Sequence, residues 1–183
     1  GECGKPVVYL YPERPTAVNV QVEIDEFTET IPEYKRNGWT VLAQSNGSLY
    51  NFDDGKLYPY LFWEGNSEKS VDPSKGFMVE RDNLENFLNE SLDKLGLNLQ
   101  EKADFLEFWL PNMLENKQEY FFLSFLGTTE FNKIAPLNIT PAPDTLIRVF
   151  MYYMPTNTYF TPRPQKLTTL ERRGFTVIEW GGT

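Results

Sequence analysis

From Ala17 to Ile24 the chain alternates without a break, with Val18, Val20, Val22 and Ile24 on one side and Asn19, Gln21 and Glu23 on the other. Successive side chains of a strand point to opposite faces. A period of two built on β-branched residues therefore predicts a half-buried strand. Such a strand suits an antiparallel sheet, where one face packs and the other meets water. The surrounding segments agree. Val7, Val8 and Leu10 form an apolar run between Pro6 and Pro12, and Trp39 to Ala43 reads as another strand. Ser45-Asn46-Gly47-Ser48 is a turn across which Leu49 to Phe52 pairs back. Asp53-Asp54-Gly55-Lys56 is a second turn, leading into a strand from Leu57 to Trp63.

After a polar stretch from Asn66 to Lys75 the period changes. Leu84, Phe87, Leu88, Leu92 and Leu95 recur at helical spacing, with Asp82 and Glu85 as a capping box and Gly96 as the stop. Asn98 and Glu101 repeat the capping pattern, Ala103, Leu106, Trp109 and Leu110 follow, and Pro111 is expected to end the run. The short connection makes these two helices neighbours. Strand character returns at Tyr120 to Leu126, Leu137 to Thr140, Leu146 to Tyr153 and Phe175 to Trp180. The expected fold is α+β: a mainly antiparallel β-sheet or sandwich with an inserted helical hairpin at about residues 82–111. It is expected to form one domain over residues 1–183, with strands at 6–63 before the hairpin and at 120–180 after it.

Composition narrows function more by exclusion than by indication. The net charge is −9, from 17 basic and 26 acidic residues, and no basic cluster interrupts the chain. A nucleic acid or an anionic membrane would meet net repulsion, so neither is an expected partner. The absence of histidine removes Ser-His-Asp and Cys-His catalysis and the commonest transition-metal ligand. Cys3 is the only cysteine, so it has no disulfide partner within the chain and is poorly placed as an ordered nucleophile. No cofactor is expected, and no metal site. Only oxygen-ligand calcium or magnesium chemistry stays open, and Asp53-Asp54-Gly55 with Asn51 reads as a hairpin turn rather than such a site. No run of 18 apolar residues occurs, so no transmembrane segment is expected. Sequons at Asn46, Asn89 and Asn138 carry little weight. The chain begins Gly1-Glu2-Cys3 without a Met and is expected to be trimmed, with any leader removed.

Two segments share a design. Tyr58-Pro59-Tyr60-Leu61-Phe62-Trp63-Glu64-Gly65 and Gly174-Phe175-Thr176-Val177-Ile178-Glu179-Trp180-Gly181-Gly182 are strand-forming runs that end with a Trp beside a Glu and stop at glycine. A carboxylate against an indole has a tunable pKa. If the two ends meet, Glu64 and Glu179 become a catalytic pair. Separations of about 5–5.5 Å suit retaining glycoside hydrolysis and about 6.5–9.5 Å suit inversion. Trp63 and Trp180 would then stack on sugar faces. The alternative is two core tryptophans and two glutamates that cap backbone at turns. Arg148 lies inside the apolar strand Leu146 to Met151 and needs a partner, for which Asp144, Glu64 and Glu179 are the candidates. It would serve either as a clamp on an anionic group or as a structural ion pair. Tyr9 with Tyr11, and Tyr58 with Tyr60, sit at alternate positions and would form an aromatic platform. Tyr152, Tyr153 and Tyr159 add to the supply of rings, and sheet packing with hydroxyls at the rim is the alternative use for all of them.

Four of these segments together resemble a known family. They are Lys5-Pro6-Val7-Val8-Tyr9-Leu10-Tyr11-Pro12, Tyr58 to Gly65, Pro141-Ala142-Pro143-Asp144-Thr145-Leu146-Ile147-Arg148-Val149-Phe150-Met151, and Arg173 to Gly182, with Phe108-Trp109-Leu110-Pro111 between them. The resemblance is to an uncharacterised family of bacterial domains, often found in exported proteins, whose members tend to end at the final Trp-Gly-Gly. It implies an exported or cell-surface setting and one intact domain, and it supplies no activity, cofactor or catalytic residue. The expectation drawn from the chain is a noncatalytic exported accessory or binding domain. Its ligand would be a glycan or a cell-envelope polymer, held by Trp63, Trp180, Tyr58 and Tyr60, with Asp144 and Arg148 beside them. The alternatives are a glycan-active hydrolase using Glu64 and Glu179, and a structural or protein-interaction module.

Overall fold

The computed structural model describes residues 1–183. In chain order its strands are β1 (Glu2–Tyr11), β2 (Thr16–Val22), β3 (Glu26–Ile31), β4 (Trp39–Ala43), β5 (Leu49–Asn51), β6 (Leu57–Tyr58), β7 (Leu61–Asn66), β8 (Phe77–Glu80), β9 (Tyr120–Leu126), β10 (Leu137–Thr140), β11 (Thr145–Thr156) and β12 (Thr176–Gly182). The helices are α1 (Leu84–Lys94), α2 (Leu99–Leu114) and α3 (Thr128–Ile134). This is an α+β fold on mainly antiparallel sheets. The chain divides into two compact units, residues 1–71 with 127–150 and 171–183, and residues 72–126 with 151–170.

The first unit is a sandwich. One sheet runs β10-β2-β4-β5-β6, and the other includes β3-β7-β1-β12 and the first half of β11. The alternation that opens the sequence is used as expected: Val18, Val20 and Val22 are buried on β2, which pairs with β4 and β10. The strand expected from Leu57 to Trp63 is two strands. Pro59 has no N–H and cannot continue a ladder. Before it, β6 pairs with β5. After it, β7 lies between β3 and β1 in the other sheet. The break thus carries the chain from one layer to the other. Two elements here are not specified by pattern. The sequence Glu26-Phe-Thr-Glu-Thr-Ile31 reads as neutral, yet it forms edge strand β3 against β7. Thr128–Ile134 forms α3, anchored by fully buried Phe131.

The second unit holds the helical hairpin, β8 paired with β9, and the second half of β11. The capping box at Asn98 forms fully: its side chain accepts from Glu101 N, and Glu101 reaches back to Asn98 N. The box expected at Asp82 does not form. Residues Arg81–Asn83 make a 3-10 turn instead, and the helix begins at Leu84 without a side-chain cap. Arg81 donates to the Asn116 and Leu114 carbonyls at the end of α2, which ties the start of one helix to the end of the other. Helix α2 also runs through Pro111 to Leu114. Proline removes one backbone bond there, while another turn of helix buries Met113 completely, and the burial wins. Past the end of β8, the side chain of Gln165 acts as a one-residue strand, accepting from Phe125 N and donating to Phe125 O, both at 2.8 Å.

Candidate functional site

Strand pairing decides the fate of the two glutamates. Val8 lies opposite Glu179 on one side and Leu61 on the other, while Val7 lies opposite Trp180 and Phe62. One sheet face therefore carries Val8, Glu179, Leu61 and Trp63, and the other carries Val7, Trp180, Phe62 and Glu64. The indole beside the Glu179 carboxylate comes from the other motif, because Trp63 Nε1 donates to Glu179 Oε1 at 3.2 Å. Glu64 and Glu179 point to opposite faces of one sheet. The structure does not bring them together, and the shared acid–base geometry expected of a hydrolase is not formed.

Glu179 sits at the centre of a buried cluster. Arg148 meets it with two bonds, Nε to Oε2 at 3.0 Å and Nη2 to Oε1 at 3.3 Å, and both side chains are fully buried. Arg148 Nη1 donates to Asn132 Oδ1 at 2.7 Å, and its guanidinium lies 3.9 Å from the Phe131 ring centre. Burial pushes the Glu179 carboxyl above its ordinary value, opposed by the Arg148 charge and by the bonds from Arg148 and Trp63. Of the three carboxylates considered for Arg148, Glu179 is the partner. Asp144 is engaged elsewhere, where its Oδ2 accepts from Phe175 N at 2.7 Å. It packs so closely on Gly174 (φ +58°) that a Cβ there would meet that oxygen at 2.2 Å. Arg148, held by Glu179, Asn132 and the Phe131 ring inside the core, is a structural pin rather than a clamp on an outside anion.

Glu64 lies at the surface of a bulge. Strand β1 breaks register between Cys3 and Val7, and Lys5 takes a left-handed φ of +48°. Glu64 Oε1 accepts from Lys5 N at 3.2 Å, and Lys5 Nζ lies 4.8 Å from the Phe62 ring centre. Burial is the largest influence on the Glu64 carboxyl and raises it, with the Lys5 N–H pulling it down. Cys3, opposite Gly65, is buried, and burial pushes its thiol up to about 11.

Trp63 and Trp180 offer no ring face, being 0% and 1% exposed. Trp180 Nε1 donates to the Tyr9 hydroxyl at 3.0 Å. The expected tyrosine platform is a packed cluster: Tyr9 is buried, stacks on Tyr11 at 6.2 Å and meets Tyr60 edge-on at 5.6 Å. The Tyr58 hydroxyl donates to Asp54 Oδ2, which lowers the Asp54 pKa and raises that of Tyr58. Asp54 Oδ1 also accepts from Lys56 N at 2.9 Å, so this residue braces the turn.

An open recess of the first unit lies elsewhere, with a volume of about 340 Å³ and walls formed by two turns. One turn is Lys35–Gly38, closed by Gly38 N to Lys35 O at 2.9 Å. Gly38 has φ +82°, and a Cβ there would sit 2.3 Å from Val20 O, so glycine is required. The other is the β5–β6 turn, closed by Gly55 N to Asn51 O at 2.8 Å and Asn51 N to Lys56 O at 2.9 Å. Trp39, buried and held by Nε1 to Pro32 O at 2.8 Å, supports the floor. Phe52 stands at the rim, 51% exposed, with Tyr50 edge-on at 5.7 Å. Around it are Asn37, Thr40, Lys35 and Asp53, of which Lys35 bridges to Glu33 at 3.0 Å and to Asp53 at 3.5 Å. Sequence reasoning reads Asp53-Asp54-Gly55 as a turn and Phe52 only as the end of the strand before it. The available signal is the pair of turns at Asn37-Gly38 and Asp54-Gly55, which flank strands β4 and β5 and the aromatic that follows the second of them.

No helix is long and apolar enough to cross a membrane. No family model matches the sequence, and no solved structure matches it. Over 68 residues, covering 36% of this chain and 69% of the relative, the sequence is 38% identical to an uncharacterised protein in the bglA 3′ region of Butyrivibrio fibrisolvens. With that identity over more than two-thirds of the relative's length, the chain belongs to the same family as this uncharacterised Butyrivibrio fibrisolvens protein.

Proposed function

We propose that the protein is a noncatalytic accessory domain that binds a glycan or an uncharged cell-envelope polymer at the Phe52 recess. The observation that carries this reading is the recess itself. It combines a half-exposed aromatic ring with amide, hydroxyl, cationic and carboxylate groups on two braced turns. Sugars present an apolar ring face and a rim of hydroxyls that both donate and accept. A ligand of that kind uses a fixed aromatic together with a few convergent polar groups. Rigid turns limit the ordering cost of binding. The net charge of −9 disfavours anionic polymers. The exported or cell-surface setting follows from the family resemblance and is part of the same proposal.

The test is co-sedimentation of the protein with insoluble xylan, cellulose and chitin. The parent is expected to bind at least one of them without releasing reducing ends. Phe52→Ala is expected to weaken that binding about tenfold or more. Binding that is indifferent to Phe52→Ala and Asn37→Ala would remove this site from consideration.

A further inference from the structure

We propose a second saccharide-binding site in the second unit, at the recess lined by Tyr120, against whose ring the exposed Tyr159 packs. This inference rests on the glycan-binding reading and extends it from one site to two.

The recess measures about 280 Å³ and is lined by Glu80, Arg81, Asp82, Lys117, Glu119 and Tyr120. Tyr159 packs edge-on against Tyr120, with ring centres 5.4 Å apart and planes at 71°, yet remains 58% exposed. It belongs to a stretch without helix or strand, where an exposed aromatic would ordinarily swing freely. Here the stretch is tied down on both sides. Asn157 Oδ1 accepts from Glu119 N at 3.1 Å, and Thr156 Oγ1 accepts from Thr158 N at 3.0 Å. Phe160 packs on Phe122 at 5.5 Å, and Arg163 O accepts from Gly76 N at 2.9 Å. The ring is thus fixed and wet, which is the condition in which stacking costs least on binding.

The polar lining fits a neutral saccharide. Arg81 is occupied by the carbonyls at the end of α2, so Lys117 is the cation available to a ligand. Lys117 donates, and Glu80, Asp82 and Glu119 accept. Together they supply both donors and acceptors, the two roles that sugar hydroxyls need met. A carboxylated polymer would face three carboxylates against that one available cation and is disfavoured.

The experiment measures depletion isotherms on the same insoluble polysaccharides for the parent, Tyr159→Ala, Lys117→Ala, Phe52→Ala and the Tyr159→Ala/Phe52→Ala double variant. Unchanged thermal unfolding serves as the folding control. Tyr159→Ala is expected to weaken binding about fivefold to tenfold, Lys117→Ala less, and the double variant more than either single. Loss in Phe52→Ala with no change in Tyr159→Ala or Lys117→Ala overturns the second site and leaves the first standing. Loss in the Tyr159 and Lys117 variants alone supports the second site and removes the first. A parent that binds no polysaccharide overturns both readings.

Discussion

Glu64 and Glu179 each stand beside a tryptophan shortly before a glycine, in strands that flank the same β1. Glu179 is fully buried, held by two bonds from Arg148 and one from Trp63. Glu64 is only partly buried and accepts one backbone N–H across a bulge. Strand alternation separates them: once Trp63 is turned toward Glu179, its neighbour Glu64 must face away. The lesson is that a shared local motif fixes composition at a strand end but not the face its carboxylate joins. One residue of register exchanges a core ion pair for a surface brace.

The contrast is broken most directly at Arg148. Arg148→Ala leaves the Glu179 charge buried without its partner and is expected to cost about 3–5 kcal/mol in urea unfolding. Arg148→Met with Glu179→Leu removes both charges and should recover most of that loss. A double variant as unstable as the single would mean that shape, not charge, is what the cluster supplies.

Cys3 sharpens the comparison, because its thiol senses Glu179 through the fold. With the thiol raised to about 11, its thiolate fraction near pH 8 lies about a hundredfold below that of an ordinary cysteine. Native protein should react correspondingly slowly with thiol reagents and at an ordinary rate once unfolded. After burial, the Glu179 charge is the next cause of the rise. Glu179→Gln is therefore expected to lower the Cys3 value, read from the pH dependence of the native reaction rate. An unchanged profile would mean that Glu179 carries no charge in the folded protein.

The smallest effect belongs to Glu64. Glu64→Ala removes one acceptor at the bulge and should cost about 1 kcal/mol, well below the Arg148 variant. Its pH behaviour follows from the raised carboxyl. A carboxyl raised on folding holds its proton more tightly in the folded state. Its contribution is full below its unfolded pKa and is lost as pH rises through the folded one. Stability of Glu64→Gln should consequently fall less than that of the parent as pH rises above about 4, the ordinary glutamate range. Parallel stability curves would show that Glu64 titrates as it does in the unfolded chain.

Much of this protein is legible without coordinates because the signals are local. Period two at Val18, Val20 and Val22 marks β2, and the Asn98/Glu101 box marks the start of α2. Both are set by neighbours a few residues apart, where sterics and hydrogen-bond reach leave little choice. A buried, paired Arg148 is also legible, since an arginine in an apolar strand needs a partner. Which carboxylate that is cannot be read locally. Glu179 wins over Asp144 and Glu64 because β12 places it on the core face, while Asp144 is consumed by Phe175 N. Only tertiary structure set the layer change at Pro59, the extension of α2 past Pro111, the edge strand β3 and the helix α3. In each, burial gained from distant residues outweighs a weak or adverse local preference. The aromatic residues follow the same division. Their abundance allows either a dense core or an aromatic surface, and packing puts Trp63, Trp180 and Tyr9 inside and leaves Phe52 and Tyr159 in water. Exposure is a property of what lies opposite a side chain, and that is decided by pairing across the fold.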